Sequence, residues 1–293
     1  MPMQRVGVVT DSVACISKEV AEAHRIVVVP INLIVEGRTY RDGVDASPSQ
    51  FYTLLDQAKG PVSTSAPAPG MFLEAYRKVS TYAESVLCIT LSAKLSGIYN
   101  AASAARLLAR EETPQLIVEV FDSRLAAMAQ GFVALAAAKA ALRGETLNRA
   151  MEVADSVSRR VEALGILDTL RYLVQSGRIP KAAGWAGSRL NLKPILHIAN
   201  GEVGLYAVVK NKARGIDYLF EAMGRATAGG KLLHAAVMHA NVPDEAEALR
   251  REIAERFPCI ELYVTEFTPA MGAMTGPGLL AAAFYAEEAD SGA

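Results

Sequence analysis

The chain has 293 residues, which is room for two domains of about 100–200 residues each. Hydrophobic residues make up 51% and charged residues 21%, enough apolar surface for a sizeable core, so disorder is excluded as the main state. Basic and acidic side chains (30 and 31) nearly cancel to a net charge of -1, which leaves no basic excess for a phosphate backbone; nucleic acid is not an expected partner.

Met1–Arg5 runs straight into a strand-like Val6–Val9 with no signal-peptide pattern before it. Cys15, Cys88 and Cys259 are far apart and odd in number, which fits neither a zinc knuckle nor a disulfide framework. A reducing, cytoplasmic location is expected. Short Val- and Ile-rich runs at Val6–Thr10, Ile26–Leu33, Val86–Thr90 and Ile117–Phe121 read as strands. Between them Ser17–His24, Ser49–Ala58, Pro69–Tyr82 and Tyr99–Arg110 carry helical spacing. Continuous apolar strands alternating with helices predict a parallel sheet covered on both faces. Leu125–Leu142 is apolar almost throughout, interrupted by Gln130, Gly131 and Lys139. Its alanine bulk gains little from lipid, so it reads as a buried core helix, not a membrane span.

The second half differs. Amphipathic helices at Leu147–Arg160, Asp168–Val174 and Pro243–Arg256 accompany strands at Val203–Val209, Ala235–His239 and Ile260–Glu266, with a Gly-rich stretch at Gly184–Gly187. Fewer βα alternations predict a mixed or antiparallel sheet with helices packed on it. The fold class is therefore α/β, with an N-terminal parallel α/β/α (Rossmann-like) domain over residues 1–159 and a C-terminal α+β domain over 160–293.

Ligands of open parallel sheets bind beyond the carboxyl ends of the strands. Here those ends carry Thr10-Asp11-Ser12, Thr90-Leu91-Ser92 leading to Leu95-Ser96-Gly97, and Phe121-Asp122-Ser123. For Asp11, Ser12, Asp122 and Ser123, N-cap preference alone favours a capping role. Ser96-Gly97 is more informative. It opens the helix Ile98–Arg110, where free amides and the helix dipole favour an anion, and Gly97 admits a close approach to the backbone. A hydroxyl loop, Ser63-Thr64-Ser65, is placed to supply further donors. No G-x-S-x-G elbow, dinucleotide fingerprint or Walker spacing is present, and His24, His197, His234 and His239 show no metal spacing. Groups for general acid–base work are few, which favours a binding protein with no catalytic residues and no metal over an enzyme. His239, after an apolar strand, reads as structural or partner-facing.

Val9-Thr10-Asp11-Ser12, Ser63–Pro67, Leu95–Tyr99, Phe121–Ser123, Thr169–Leu173 with Gly177–Ile179, Leu192–Leu196, His239-Ala240 and Thr275–Gly278 together resemble the DegV family. The ordered set runs from residue 9 to residue 278. The resemblance implies a two-domain lipid-binding protein of the EDD fold that holds a long-chain fatty acid such as palmitate in a tunnel between its domains. It also implies a non-catalytic part in lipid transport or fatty acid metabolism. Family members with an assigned role are the fatty-acid-binding subunit of a bacterial fatty acid kinase, and present the acid's carboxylate to a separate ATP-using kinase subunit. By the same resemblance Thr64 and Ser96 hydrogen-bond the carboxylate, with Ser65, Gly97, Met274 and Thr275 near the head group. Arg178, and Lys212 or Arg214, dock the kinase. No cofactor is implied beyond the bound acid, and membrane contact is at most transient. Three positions depart from the family pattern: Ala66 replaces a glutamine, Ser176 a glycine, and Met274 a histidine near the head group. Methionine cannot donate a hydrogen bond. Rival readings are a binder of a phospholipid or polyprenyl phosphate, and a serine-based hydrolase on Ser96.

Overall fold

The computed structural model describes residues 3–45, 47–57, 62–177 and 192–288. They pack as two compact units. The first comprises Met1–Ser47, Ala58–Arg159 and Asn200–Glu202; the second comprises Pro48–Gln57, Arg160–Ala199 and Val203–Ala293. A single cut near Arg159 therefore leaves out the helix at Pro48–Gln57, which groups with the later residues.

In chain order the first unit holds β1 (Gln4–Asp11), α1 (Lys18–Ala23), β2 (Ile26–Val29), β3 (Asn32–Val35) and β4 (Arg38–Arg41). After α2 (Pro48–Gln57) come β5 (Val62–Ser65), α3 (Pro69–Ser80), β6 (Ala83–Thr90), α4 (Ile98–Glu112), β7 (Ile117–Asp122), α5 (Ala127–Leu142) and α6 (Leu147–Arg160). Four strands form a wholly parallel sheet in the order β2-β1-β6-β7. Val6, Val8 and Val9 on β1 and Val86–Ile89 on β6 are buried whichever face they point to, which is why both strands read as unbroken apolar runs. Successive β1 positions face different layers. A Cβ on Gly7 would run into Val79 of α3, whereas Thr10 meets Gln130 of α5.

One expected strand is in fact two. Ile26–Leu33 breaks at Pro30, which has no N–H to give a ladder. β2 stays in the parallel sheet, while β3 enters a separate antiparallel sheet, β4-β3-β5. The supposed hydroxyl loop Ser63–Ser65 is the body of β5, pairing Leu33 with Thr64 and Asn32 with Ser65.

α5 is the expected core helix, beginning at Ala127. Every residue in it except Lys139 and Leu142 is buried, and it packs on β1 and on the 3-10 turn Ser12–Ala14. Small side chains permit this approach. A Cβ on Gly131 would stand 2.8 Å from the Ala14 carbonyl oxygen. No described helix is long and apolar enough to cross a membrane.

The second unit adds to α2 the elements β8 (Glu162–Ile166), α7 (Arg171–Ser176), β9 (Lys193–Ala199), β10 (Glu202–Val209) and α8 (Lys212–Ala226). β11 (Leu232–His239), α9 (Pro243–Arg256), β12 (Cys259–Glu266), α10 (Pro269–Thr275) and β13 (Leu280–Glu287) follow. Its sheet is mixed, in the order β10-β9-β8-β13-β11-β12. β11 and β12 are parallel, while β13 runs antiparallel to both β11 and β8. Leu219 and Met223 of α8 and Leu249 and Ile253 of α9 close over Ile166, Leu233, Val237 and Phe284. Burying this face anchors both helices. The Gly-rich stretch Gly184–Gly187 lies outside the described residues.

Candidate functional site

β1 and β6 end side by side in the parallel sheet, and the chain leaves each in a tightly bonded loop. Asp11 is fully buried. Its Oδ1 accepts from the Val13 amide (3.1 Å), so it caps the 3-10 turn. Its Oδ2 accepts from the Leu91 amide (2.9 Å) and from Gln130 Nε2 (2.9 Å). Burial dominates these hydrogen bonds and raises the carboxyl to about 6, with the buried Cys88 thiol among its neighbours. Ser12, Asp122 and Ser123 are not α-helix N-caps either; they tie loops. Ser12 donates to Asp42 Oδ2 (2.6 Å), Asp122 accepts from the Ala93 amide (3.2 Å), and Ser123 donates to the Thr90 carbonyl (2.7 Å).

The bonds from Leu91 to Asp11 and from Ala93 to Asp122 hold the start of the loop Leu91–Gly97. Ser92 N donates to the Leu125 carbonyl (3.0 Å), and Leu95 N to the Ser92 carbonyl (3.0 Å). The N-cap of α4 is Gly97, not Ser96, and no side chain caps the helix. Its first-turn N–H groups are left for an external acceptor. Ser96, one position earlier, is half-buried, and its hydroxyl has no hydrogen-bond partner among the described residues.

Thr64 comes from β5. Side chains alternate along a strand, so Thr64 is buried while Ser63 and Ser65 on either side are exposed. Ser65 accepts from Asn32 Nδ2 (3.2 Å), and the same amide donates to the Ala66 carbonyl (3.2 Å). That clamp sets the chain just beyond β5 beside α4: a Cβ on Gly97 would stand 4.0 Å from the Ala66 Cβ. The structure thus brings the Thr64 segment and the Ser96-Gly97 turn together. Ser65 looks away from the face that Thr64 occupies.

α3 begins at the same end of the sheet. It runs back to the start of β6, packs against α4, and donates from Tyr76 to the Ala102 carbonyl (3.1 Å). It too starts without a side-chain cap, at Ala68. Two uncapped helix starts and the unpartnered Ser96 hydroxyl at one end of the sheet suit a singly charged anion. The one cation in these two segments, Lys94, is paired with Glu202 (3.3 Å), and no other Lys or Arg occurs in Ser63–Pro69 or Leu91–Asn100, so the donors offered there are neutral.

Met274 and Thr275 belong to the second unit, on α10. Thr275 is buried and donates to the Met271 carbonyl (3.1 Å), an ordinary bond back along its own helix. Met274 is half-buried. α10 is held between aromatic rings: a Cβ on Gly272 would stand 2.6 Å from the Tyr52 oxygen, and one on Gly276 would run into the Tyr172 ring. Gly276 ends the helix with φ +75, a conformation that L side chains rarely adopt.

Of the basic residues, Arg178 lies outside the described residues. Lys212 sits between Glu245 (2.8 Å) and Asp168 (3.7 Å), with only 19% of its side chain exposed. Arg214 is 56% exposed, paired with Asp217 (3.1 Å) and lying over the Tyr218 ring. His239 is buried beside Glu266, its register partner on β12; burial lowers its basicity, and its Nδ1 has no partner among the described residues. No described group of three His, Cys, Asp or Glu could hold a metal ion.

The sequence model of the "Uncharacterised protein, DegV family COG1307" matches residues 5–287. The chain belongs to the DegV family. A DegV domain-containing protein of Streptomyces coelicolor is 36% identical over 94% of this chain and 97% of its own length. Two solved DegV structures share the fold. The Thermus thermophilus protein, whose structure is described as showing fatty acid binding, is 27% identical with a TM-score of 0.88, covering 97% of this chain and all of that one. Bacillus subtilis DegV, described as a fatty acid binding protein, is 29% identical with a TM-score of 0.87, over 97% of this chain and 100% of that one.

Sequence alone gives Asp11 its capping role, which the 3-10 turn keeps, but not its bonds to Leu91 and Gln130, nor the clamp made by Asn32. Gln130 had left a signal, a lone amide in an otherwise apolar helix; Asn32 left none, since its role depends on the pairing of β3 with β5.

Proposed function

We propose that this protein binds a long-chain fatty acid, with the carboxylate received by Thr64, Ser96 and the free amides at the start of α4. The observation that carries this reading is the meeting of the β5 segment with the uncapped Ser96-Gly97 turn. The fatty acid binding described for the Thermus and Bacillus relatives supports it. Neutral donors favour a carboxylate over the more highly charged phosphate of a polyprenyl phosphate or phospholipid, for which a basic side chain is the usual partner. A serine hydrolase needs a base on its nucleophile, and among the described residues none is hydrogen-bonded to Ser96. The alkyl chain supplies most of the affinity, at about 0.8 kcal/mol per buried methylene, so modest head-group anchoring is enough.

The proposal extends to a non-catalytic role, in which the bound acid is presented to an ATP-using kinase subunit in fatty acid metabolism. Arg214, exposed and at the start of α8, suits docking better than Lys212, whose ammonium is shared between two carboxylates. Native mass spectrometry of protein purified without detergent should show one fatty acid per chain. A lipid-free protein that also fails to take up added palmitate or oleate would refute the reading.

A further inference from the structure

Of the groups proposed to hold the carboxylate, Thr64 is fixed in the β5 ladder, whereas Ser96 and the start of α4 are presented by the loop between β6 and α4. What orients that loop is a question of which groups tie its ends. Its far end is α4 itself. Its near end, Leu91, follows β6 directly, and the Leu91 amide donates 2.9 Å to Asp11 Oδ2. That oxygen also takes Gln130 Nε2 at 2.9 Å, and the same Nε2 reaches Thr10 Oγ1 at 3.1 Å. Thr10 in turn donates to the Ile89 carbonyl at 2.8 Å. Two adjacent strand ends, the core helix α5 and the first residue of the Ser96 loop thus converge on one carboxylate. Asp11 is 0% exposed and Gln130 is 0% exposed. Gln130 Oε1 is buried with no partner among the described residues. A buried anion and an orphaned amide oxygen are expensive, and a fold needing only a cap at Ser12 has cheaper choices.

We infer that Asp11, held by Gln130, is a positioning residue for the head-group site: through the Leu91 amide it sets the loop that presents Ser96 and the start of α4 to the ligand carboxylate. This rests on the fatty-acid reading above. It adds a residue that does not touch the ligand.

The test uses Asp11→Asn in the full chain, stripped of lipid. Asparagine keeps the volume but turns one acceptor oxygen into a donor, so the Val13, Leu91 and Gln130 donors can no longer all be satisfied. Palmitate and methyl palmitate are titrated in parallel, because the ester lacks the charge that the site receives. Palmitate affinity should fall about tenfold, in the range of couplings within one hydrogen-bond network, with much less change for the ester. Combined with Ser96→Ala, the loss should be smaller than the product of the two single losses. Hydrogen exchange of ligand-free protein should show lost protection from Leu91 to Gly97. Equal losses for acid and ester, or multiplicative losses in the double variant, would show a general weakening of the fold and overturn the inference. Unchanged palmitate binding would also overturn it. Gln130→Met, which removes one donor from the same carboxylate, carries the same comparisons if Asp11→Asn does not fold. Wild type that takes up no palmitate refutes the function reading instead, and exchange at Leu91–Gly97 alone then decides whether Asp11 orders the loop.

Discussion

Mild acid should stabilise this protein through Asp11. Its carboxyl is raised from 3.8 to about 6 because burial outweighs the hydrogen bonds from Leu91, Gln130 and Val13. A group that binds its proton more tightly folded than unfolded adds stability as pH falls, and loses that contribution as pH rises through the folded value. The contribution is complete below the unfolded value of 3.8 and gone above about 6. Between about pH 7.5 and about pH 5, the folded state takes up most of one proton that the unfolded chain does not, worth about 1.4 kcal/mol. Other carboxylates titrate over the same range, so the quantity to measure is the difference from Asp11→Asn, which carries no titrating group at that position. Urea unfolding followed by far-UV circular dichroism at both pH values should show wild type gaining about 1.4 kcal/mol relative to the variant on acidification. Carbon-13 NMR of the Asp11 carboxyl gives the titration directly. A constant difference between the two proteins, or a carboxyl that titrates at or below the ordinary aspartate value, would refute the argument that desolvation outweighs hydrogen bonding here.

Ser96→Ala and Thr64→Val should each weaken fatty acid binding by about 1.5–3 kcal/mol, the contribution of a hydrogen bond to a charged group; a titration with each variant matching wild type would reduce them to bystanders. If position 274 has the head-group role that the family resemblance implies, Met274→His should raise acyl phosphate formation with a heterologous kinase subunit more than it raises fatty acid affinity, since a donor to developing charge acts mainly in the transition state. A coupled turnover assay run beside a binding titration reads both. Arg214→Glu should lower turnover in that assay and leave fatty acid binding intact. Lys212→Gln should instead lower the melting temperature slightly, because Glu245 loses its 2.8 Å cation, while Asp168 keeps Lys193 at 2.8 Å. Gly131→Ala should destabilise by about 1–3 kcal/mol, despite a helix-propensity gain of about 1 kcal/mol, because the new methyl meets the Ala14 carbonyl oxygen at 2.8 Å; thermal unfolding checks the sign.

The elements legible in the sequence were those whose burial is set by their own residues. β1, β6 and α5 are apolar on every side because they lie inside, and a run of Val, Ile or Ala records that directly. β13 escaped notice for the opposite reason. Half of Leu280–Tyr285 is alanine, a poor strand former, and it is a strand because β8 and β11 flank it. The split of Ile26–Leu33 was marked by Pro30, but the destination of β3 was not, since its partners β4 and β5 lie elsewhere in the chain.

The candidate site divides along the same line. An anion-favouring start to α4 follows from Ser96-Gly97 and helix electrostatics alone, and the hydroxyls of Ser63–Ser65 are plain in the sequence. Only the paired strand decides that Thr64 is buried while Ser65 turns outward to Asn32, because alternation has no sense until one face is covered. Likewise, Asp11 in isolation is an ordinary capping residue. It becomes a buried anion holding Leu91 only when β1, β6 and α5, separated by long stretches of chain, are packed together and water is removed from among them.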